Sequence, residues 1–194
     1  MRLGINSWMN NYTANDISTF FQQYDPWVTH YAVLQSEWRP YGLPQSIINK
    51  YIAKVKNELH YALNIFAKLL YPTNTNYPIR KPYCYRPLTF VTIEGARETN
   101  DPEQTIHANI CLGNIPKHLT ATHIEIYLRY AWHVRAKQPN DIFVESIKDY
   151  PSDTGRLFRY VVKEGQTDRS KAWSTDGIWD VENCWIPHQA LAAD

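Results

Sequence analysis

The sequence predicts an α+β fold, a central antiparallel sheet with helices packed on its face. Three observations carry that reading. Ile48, Ile52, Val55, Leu59, Ala62, Phe66 and Leu69 recur at alternating steps of four and three, the spacing of one face of a long helix. Stretches rich in β-branched and aromatic residues at 27–38, 86–95, 105–113 and 141–150 read as strands. The order is strand, helix, strand, strand, helix, strand, helix, and the two consecutive strands break the strict alternation expected of a parallel sheet.

From the N-terminus, DISTFFQQY (16–24) reads as a short helix, and WVTHYAVLQSEW (27–38) as a strand that stops at Arg39-Pro40. The long helix should run from Pro44, a favourable first-turn residue, to Tyr71 before Pro72. PTNTNYP (72–78) is a loop by composition. RPLTFVTIEG (86–95) and TIHANICLG (105–113) pair as a hairpin across the polar connector ARETNDPEQ (96–104). Thr122 and Glu125 stand at capping-box spacing, and Ile124, Tyr127 or Leu128, Ala131 and Val134 continue a helical stripe towards Gln138-Pro139. DIFVESIKDY (141–150) is the fourth strand, and DTGRLFRYVVKEG (153–165) a short helix closed by Gly165. One domain is expected over 1–194, its core at about 25–165 and a C-terminal cover, with Trp173, Trp179 and Trp185, over 166–194.

Composition narrows the function classes. A formal charge of +1 shows none of the basic excess common in nucleic-acid-binding proteins, so any such contact has to be local. Cys84, Cys111 and Cys184 form no CxxC pair, which argues against a disulfide framework or a zinc knuckle. No apolar run is long enough to span a bilayer and the N-terminus lacks an apolar signal segment, so a cytoplasmic protein is expected. No Gly-Lys-Ser/Thr phosphate loop is present.

The residues that point to chemistry lie on the hairpin and on the last predicted helix. Strand alternation puts Ile106, Ala108, Ile110 and Leu112 on one face, and His107, Asn109 and Cys111 on the other. Glu94 stands on the partner strand across the hairpin. Imidazole nitrogen, amide oxygen and carboxylate oxygen form a mixed donor set for a divalent ion such as Mg²⁺ or Mn²⁺, with Glu98 a competing third ligand. On the helix, Leu157, Phe158, Val161 and Val162 make the apolar side, while Arg156, Tyr160 and Lys163 share the other. Neighbouring cations favour phenolate, which makes Tyr160 a candidate nucleophile for a phosphodiester, with Lys163 assisting it. Arg156 and Arg159 are candidate DNA contacts. His30, His60, His118, His123, His133 and His188 have no partner at ligand spacing and read as structural.

Together, "IHANICL" and "LFRYVVKEG" resemble the motifs of HUH endonucleases of the rolling-circle replication initiator type, the family of plasmid and small-virus Rep proteins. In that family a His-hydrophobic-His motif and an acidic residue bind the metal, and Tyr-x-x-Lys on a helix supplies the nucleophile. Here Asn109 stands in place of the second histidine, Tyr160-x-x-Lys163 is complete, and the resemblance spans roughly 25–165.

The resemblance implies an HUH/RRM-like nuclease fold and nicking and joining of single-stranded DNA or an origin hairpin. Tyr160 would become linked to a 5′ phosphate, in a bacterial cell or a virus-infected host cell. The chain is too short to carry a helicase domain as well, so unwinding would come from a host helicase. The alternatives are a non-catalytic DNA-binding module on the same fold, a single-tyrosine transposase of the same superfamily, and an α+β interaction protein with no nucleic-acid role.

Overall fold

Four strands pair antiparallel throughout, in the spatial order β2-β3-β1-β4: β1 is Val28–Gln35, β2 Leu88–Glu94, β3 His107–Gly113 and β4 Ile142–Ser146. The computed structural model describes residues 13–72, 75–147 and 179–187. The helix expected at 153–165, with Arg156, Arg159, Tyr160 and Lys163, lies outside the described residues, as do 148–150 of the expected fourth strand and Trp173. The first strand is shorter than its composition suggests. Beyond Gln35 the chain leaves the ladder, and the Ser36 hydroxyl and backbone N–H both donate to the Ile106 carbonyl.

The helices are α1 (Ala14–Gln22), α2 (Gln45–Leu69), α3 (Tyr77–Arg80), α4 (Pro82–Tyr85) and α5 (Ala121–Arg129). The predicted stripe of α2 is buried from Ile48 to Phe66, but in the last turns Leu63, Ala67 and Leu70 are buried and Leu69 is only half-buried. Within the expected 72–78 loop, Tyr77 and Pro78 open α3, because proline at a first-turn position favours a helical start.

The α5 cap corrects the expected one. Thr120 is the N-cap and His123 closes the box with it, whereas Thr122 lies inside the helix and Glu125 pairs with Arg129 at 2.5 Å. The expected stripe also slips. Residues Tyr130–Arg135 form a π-helical turn, with the Ala136 N–H on the Ala131 carbonyl, and the extra residue shifts the helical phase of the side chains. Ile124, Leu128 and Ala131 are buried as expected, but Trp132 is buried next to them, its indole N–H donating to the Gln35 carbonyl at 2.7 Å, and Val134 is exposed.

The two sheet faces have different covers. Phe90 stacks on Phe21 of α1 at 4.2 Å, and Phe20 and Trp179 complete that aromatic cluster. On the opposite face Thr89 donates to the Asn183 carbonyl, and the Asn183 amide donates to the Lys56 carbonyl of α2. Val91, Ile93, Ala108, Ile110, Ala32 and Leu34 share that second face and are fully buried. Residues 179–187 run along the outer edge of β2, where Thr89 and Trp185 exchange both backbone hydrogen bonds at 2.9 Å. This cover occupies edge groups that would otherwise be open to pairing with another chain.

Asp180 in this edge segment is completely buried. Its Oδ2 accepts from Asn183 at 2.5 Å, while Oδ1 finds no hydrogen-bond partner among the described residues. Burial raises its pKa above the usual 3.8, with Lys56 and Asn183 pulling the other way. The folded state therefore holds the proton to higher pH than the unfolded chain, so this group costs stability as pH rises from the unfolded towards the folded pKa. Asp180→Asn is expected to be more stable than wild type at pH 8, with the difference shrinking towards pH 4. Urea unfolding midpoints across that range measure it, and parallel profiles for the two proteins would contradict it.

Candidate metal centre

Register decides which side chains meet. Glu94 is directly opposite His107, Thr92 opposite Asn109, and Gln35 and Val33 of β1 flank His107 and Asn109 from the other side. Residues directly opposite in an antiparallel ladder project to the same face. The sheet thus gathers Glu94, His107, Thr92 and Asn109 at the end of the face whose other end is filled by Phe90 and α1. His107 Nε2 lies 3.5 Å from Glu94 Oε2, and the carboxylate is wholly buried while the imidazole keeps a partly open edge.

The imidazole is held by its own strand. His107 Nδ1 is 3.2 Å from the Thr105 carbonyl, and a carbonyl only accepts, so Nδ1 donates to it and Nε2 is the nitrogen that faces Glu94. A ring nitrogen and a carboxylate at this separation are bridged either by a proton, as in an ion pair, or by a cation. A backbone carbonyl on the remote nitrogen is also how ligating histidines are commonly oriented.

Two donors held by one ion at about 2.1–2.2 Å stand about 3.0–3.5 Å apart at the usual angles, and the His–Glu pair fits that requirement. Among the described residues no three His, Cys, Asp or Glu side chains come together, so any such centre is a His–Glu pair with an amide neighbour.

Gly95 makes the turn out of β2 possible. Its φ is +71°, and a Cβ there would stand 2.1 Å from the Thr105 carbonyl oxygen and 3.4 Å from His107 Nδ1. Gly95→Ala is expected to cost about 1–3 kcal/mol in backbone conformation alone. It should also push away the carbonyl that orients His107, lowering the melting temperature and weakening Mn²⁺ binding together. Thermal unfolding with and without Mn²⁺ reads both effects, and wild-type Mn²⁺ affinity in the variant would exclude Thr105 as the orienting group.

Asn109 is 2% exposed, and its Oδ1 accepts from the Tyr31 hydroxyl at 2.5 Å; Tyr31 is itself buried. Among the described residues neither Asn109 Nδ2 nor Thr92 Oγ1 has a hydrogen-bond partner. Glu98, the competing third ligand, is elsewhere: its carboxylate accepts from the Gln45 N–H at the start of α2, at 2.9 Å. Sequence reasoning missed Tyr31 and Thr92. Both have the strand parity of the site, but only the register assigns that parity to one face.

Neither a protein-family model, nor a curated protein, nor a solved structure matches this chain.

Proposed function

We propose that the protein is a metal-dependent endonuclease that nicks and rejoins single-stranded DNA through a tyrosine, initiating rolling-circle replication of a plasmid or virus. The observation that carries this reading is the buried Glu94 carboxylate 3.5 Å from the Nε2 of an imidazole whose other nitrogen is committed to a backbone carbonyl. It is supported by Tyr160-x-x-Lys163 at the place in the chain where the resemblance to replication initiators requires it. His107 and Glu94 would hold Mg²⁺ or Mn²⁺, with Asn109 beside them, and the ion would polarise the scissile phosphate.

The Tyr160 hydroxyl gives up its proton and its oxygen attacks phosphorus, an O–P bond to tyrosine forms, and the bond from phosphorus to O3′ breaks. The leaving oxygen takes up a proton to give the 3′ hydroxyl, and the 5′ phosphate stays on Tyr160. Rejoining is the reverse. Arg156 and Arg159 would hold flanking phosphates, and a host helicase would supply unwinding. The setting would be the cytoplasm of a bacterial cell or of a virus-infected host cell. Among the described residues no helix is long and apolar enough to cross a membrane.

The test is incubation with a panel of single-stranded oligonucleotides and Mn²⁺, followed by mass spectrometry of covalent adducts. Adducts on Tyr160 that require metal are expected. Adducts on another tyrosine such as Tyr150, or none across the panel, would overturn the assignment. Lys163→Ala should slow nicking and move its pH optimum upward, because a phenol without its cationic neighbour ionises at higher pH; an unchanged profile would reduce Lys163 to a surface charge. A second reading, a DNA-binding module without turnover, is favoured by one observation: Asn109 stands where the family has its second histidine, and its oxygen is already bonded to Tyr31. Failure of wild-type protein to bind Mn²⁺ while binding DNA would select it.

A further inference from the structure

The contact between Tyr31 and Asn109 sets which end of the amide is available. The Tyr31 hydroxyl donates to the amide oxygen of Asn109 at 2.5 Å. The NH₂ group is left as the free end of a side chain that is 2% exposed, with no acceptor among the described residues. Opposite it on β2 is Thr92, 1% exposed, whose hydroxyl is also without a partner among the described residues. A buried NH₂ group and a hydroxyl opposite each other, neither bonded among the described residues, can both donate to one acceptor oxygen brought in from outside.

We infer that Asn109 serves this site as a hydrogen-bond donor to an anionic oxygen of a phosphate ester, with Thr92 beside it, and that Tyr31 is the positioning residue that turns the amide. The inference rests on the metal-centre reading in one respect. Glu94 is one cross-strand pair away, and a metal ion held between it and His107 would favour an anionic oxygen beside it, so the phosphate is expected to bind the metal-loaded protein. Asn109 then contacts the substrate rather than the ion. This is a different role from the ligand position expected of its place in the motif, and it accounts for why an amide rather than an imidazole stands there.

Two titrations on the full-length protein test this. Mn²⁺ is followed by the electron paramagnetic resonance of the free ion, and thymidine 5′-monophosphate is then titrated into Mn²⁺-saturated protein by calorimetry. The proteins are wild type, Asn109→Ala, Tyr31→Phe and the double variant, each checked for folding by circular dichroism.

Asn109→Ala should keep Mn²⁺ affinity within about twofold and bind the nucleotide at least about tenfold more weakly, the loss of a hydrogen bond to a charged group. Tyr31→Phe should weaken the nucleotide less. The double variant should be no weaker than Asn109→Ala, since Tyr31 acts through Asn109. If Asn109→Ala does not fold, the near-isosteric and uncharged Asn109→Leu, which has no donor, should show the same nucleotide loss.

A tenfold fall in Mn²⁺ affinity in Asn109→Ala makes Asn109 a ligand and overturns the inference. So does an unchanged nucleotide affinity, a double variant weaker than Asn109→Ala, or a wild-type protein that binds no Mn²⁺. Absence of covalent adducts with oligonucleotides, when both titrations behave as stated, removes the nicking reaction and leaves the donor role standing.

Discussion

Tyr160→Phe is expected to fold and to bind single-stranded DNA as wild type does, while forming no covalent adduct. The substitution removes one oxygen, and that oxygen is the atom proposed to bond to phosphorus. Loss of a nucleophile that no neighbour can replace lowers turnover on the order of 10⁴–10⁶-fold, the largest effect expected of any single substitution in this protein. Fourteen tyrosines are present in the chain, so the assignment needs a decisive readout. Denaturing gels of Mn²⁺-treated protein with labelled oligonucleotide supply it, alongside a binding measurement on the same samples. Adducts that persist in Tyr160→Phe assign the nucleophile elsewhere. Loss of DNA binding together with the adduct would instead give Tyr160 a packing role.

The second large effect is expected at Glu94. Its side chain is fully buried beside His107 Nε2, and glutamine has nearly its size without its charge. In wild type, Mn²⁺ at about a hundred times its dissociation constant should stabilise the fold by about 2.7 kcal/mol. For a protein of this length that corresponds to about 5–10 °C in melting temperature. Glu94→Gln should lose nearly all of this increment, and a chelator should lower the melting temperature of wild type and leave the variant unchanged.

The increment in wild type should also shrink as pH falls, because protons compete with a metal ion for its ligands. Differential scanning fluorimetry with Mn²⁺, with chelator and across pH measures all three. A metal-induced increment of wild-type size in Glu94→Gln would remove the carboxylate from the centre.

Much of the architecture was legible in the sequence because its signals are local. A period of two assigned the faces of TIHANICLG, and a step of four and three marked the buried side of α2 from Ile48 to Phe66. Glycine and proline bounded most elements to within a few residues. The misplacements share one cause, which is a local signal overruled by a neighbour. Thr122 and Glu125 have capping-box spacing, but Thr120 is two residues earlier and takes the cap with His123. Val134 continues the α5 stripe on paper, but the π-helical turn rotates Trp132 inward in its place.

The candidate centre divides in the same way. By itself the sequence determined that His107 and Asn109 share a face and that an acidic residue near the end of the preceding strand could join them, since alternation and strand adjacency depend only on order along the chain. The tertiary structure decided that the acidic side chain beside His107 is that of Glu94, while Glu98 turns to the start of α2. Register depends on the hydrogen-bonded ladder and on the turn at Gly95, where the Thr105 carbonyl leaves no room for a side chain. It also decided that Tyr31, 78 residues away in the chain, holds the Asn109 oxygen. That contact exists because β1 lies against β3 in the middle of the sheet, and strand order is set by long-range packing that no local period encodes.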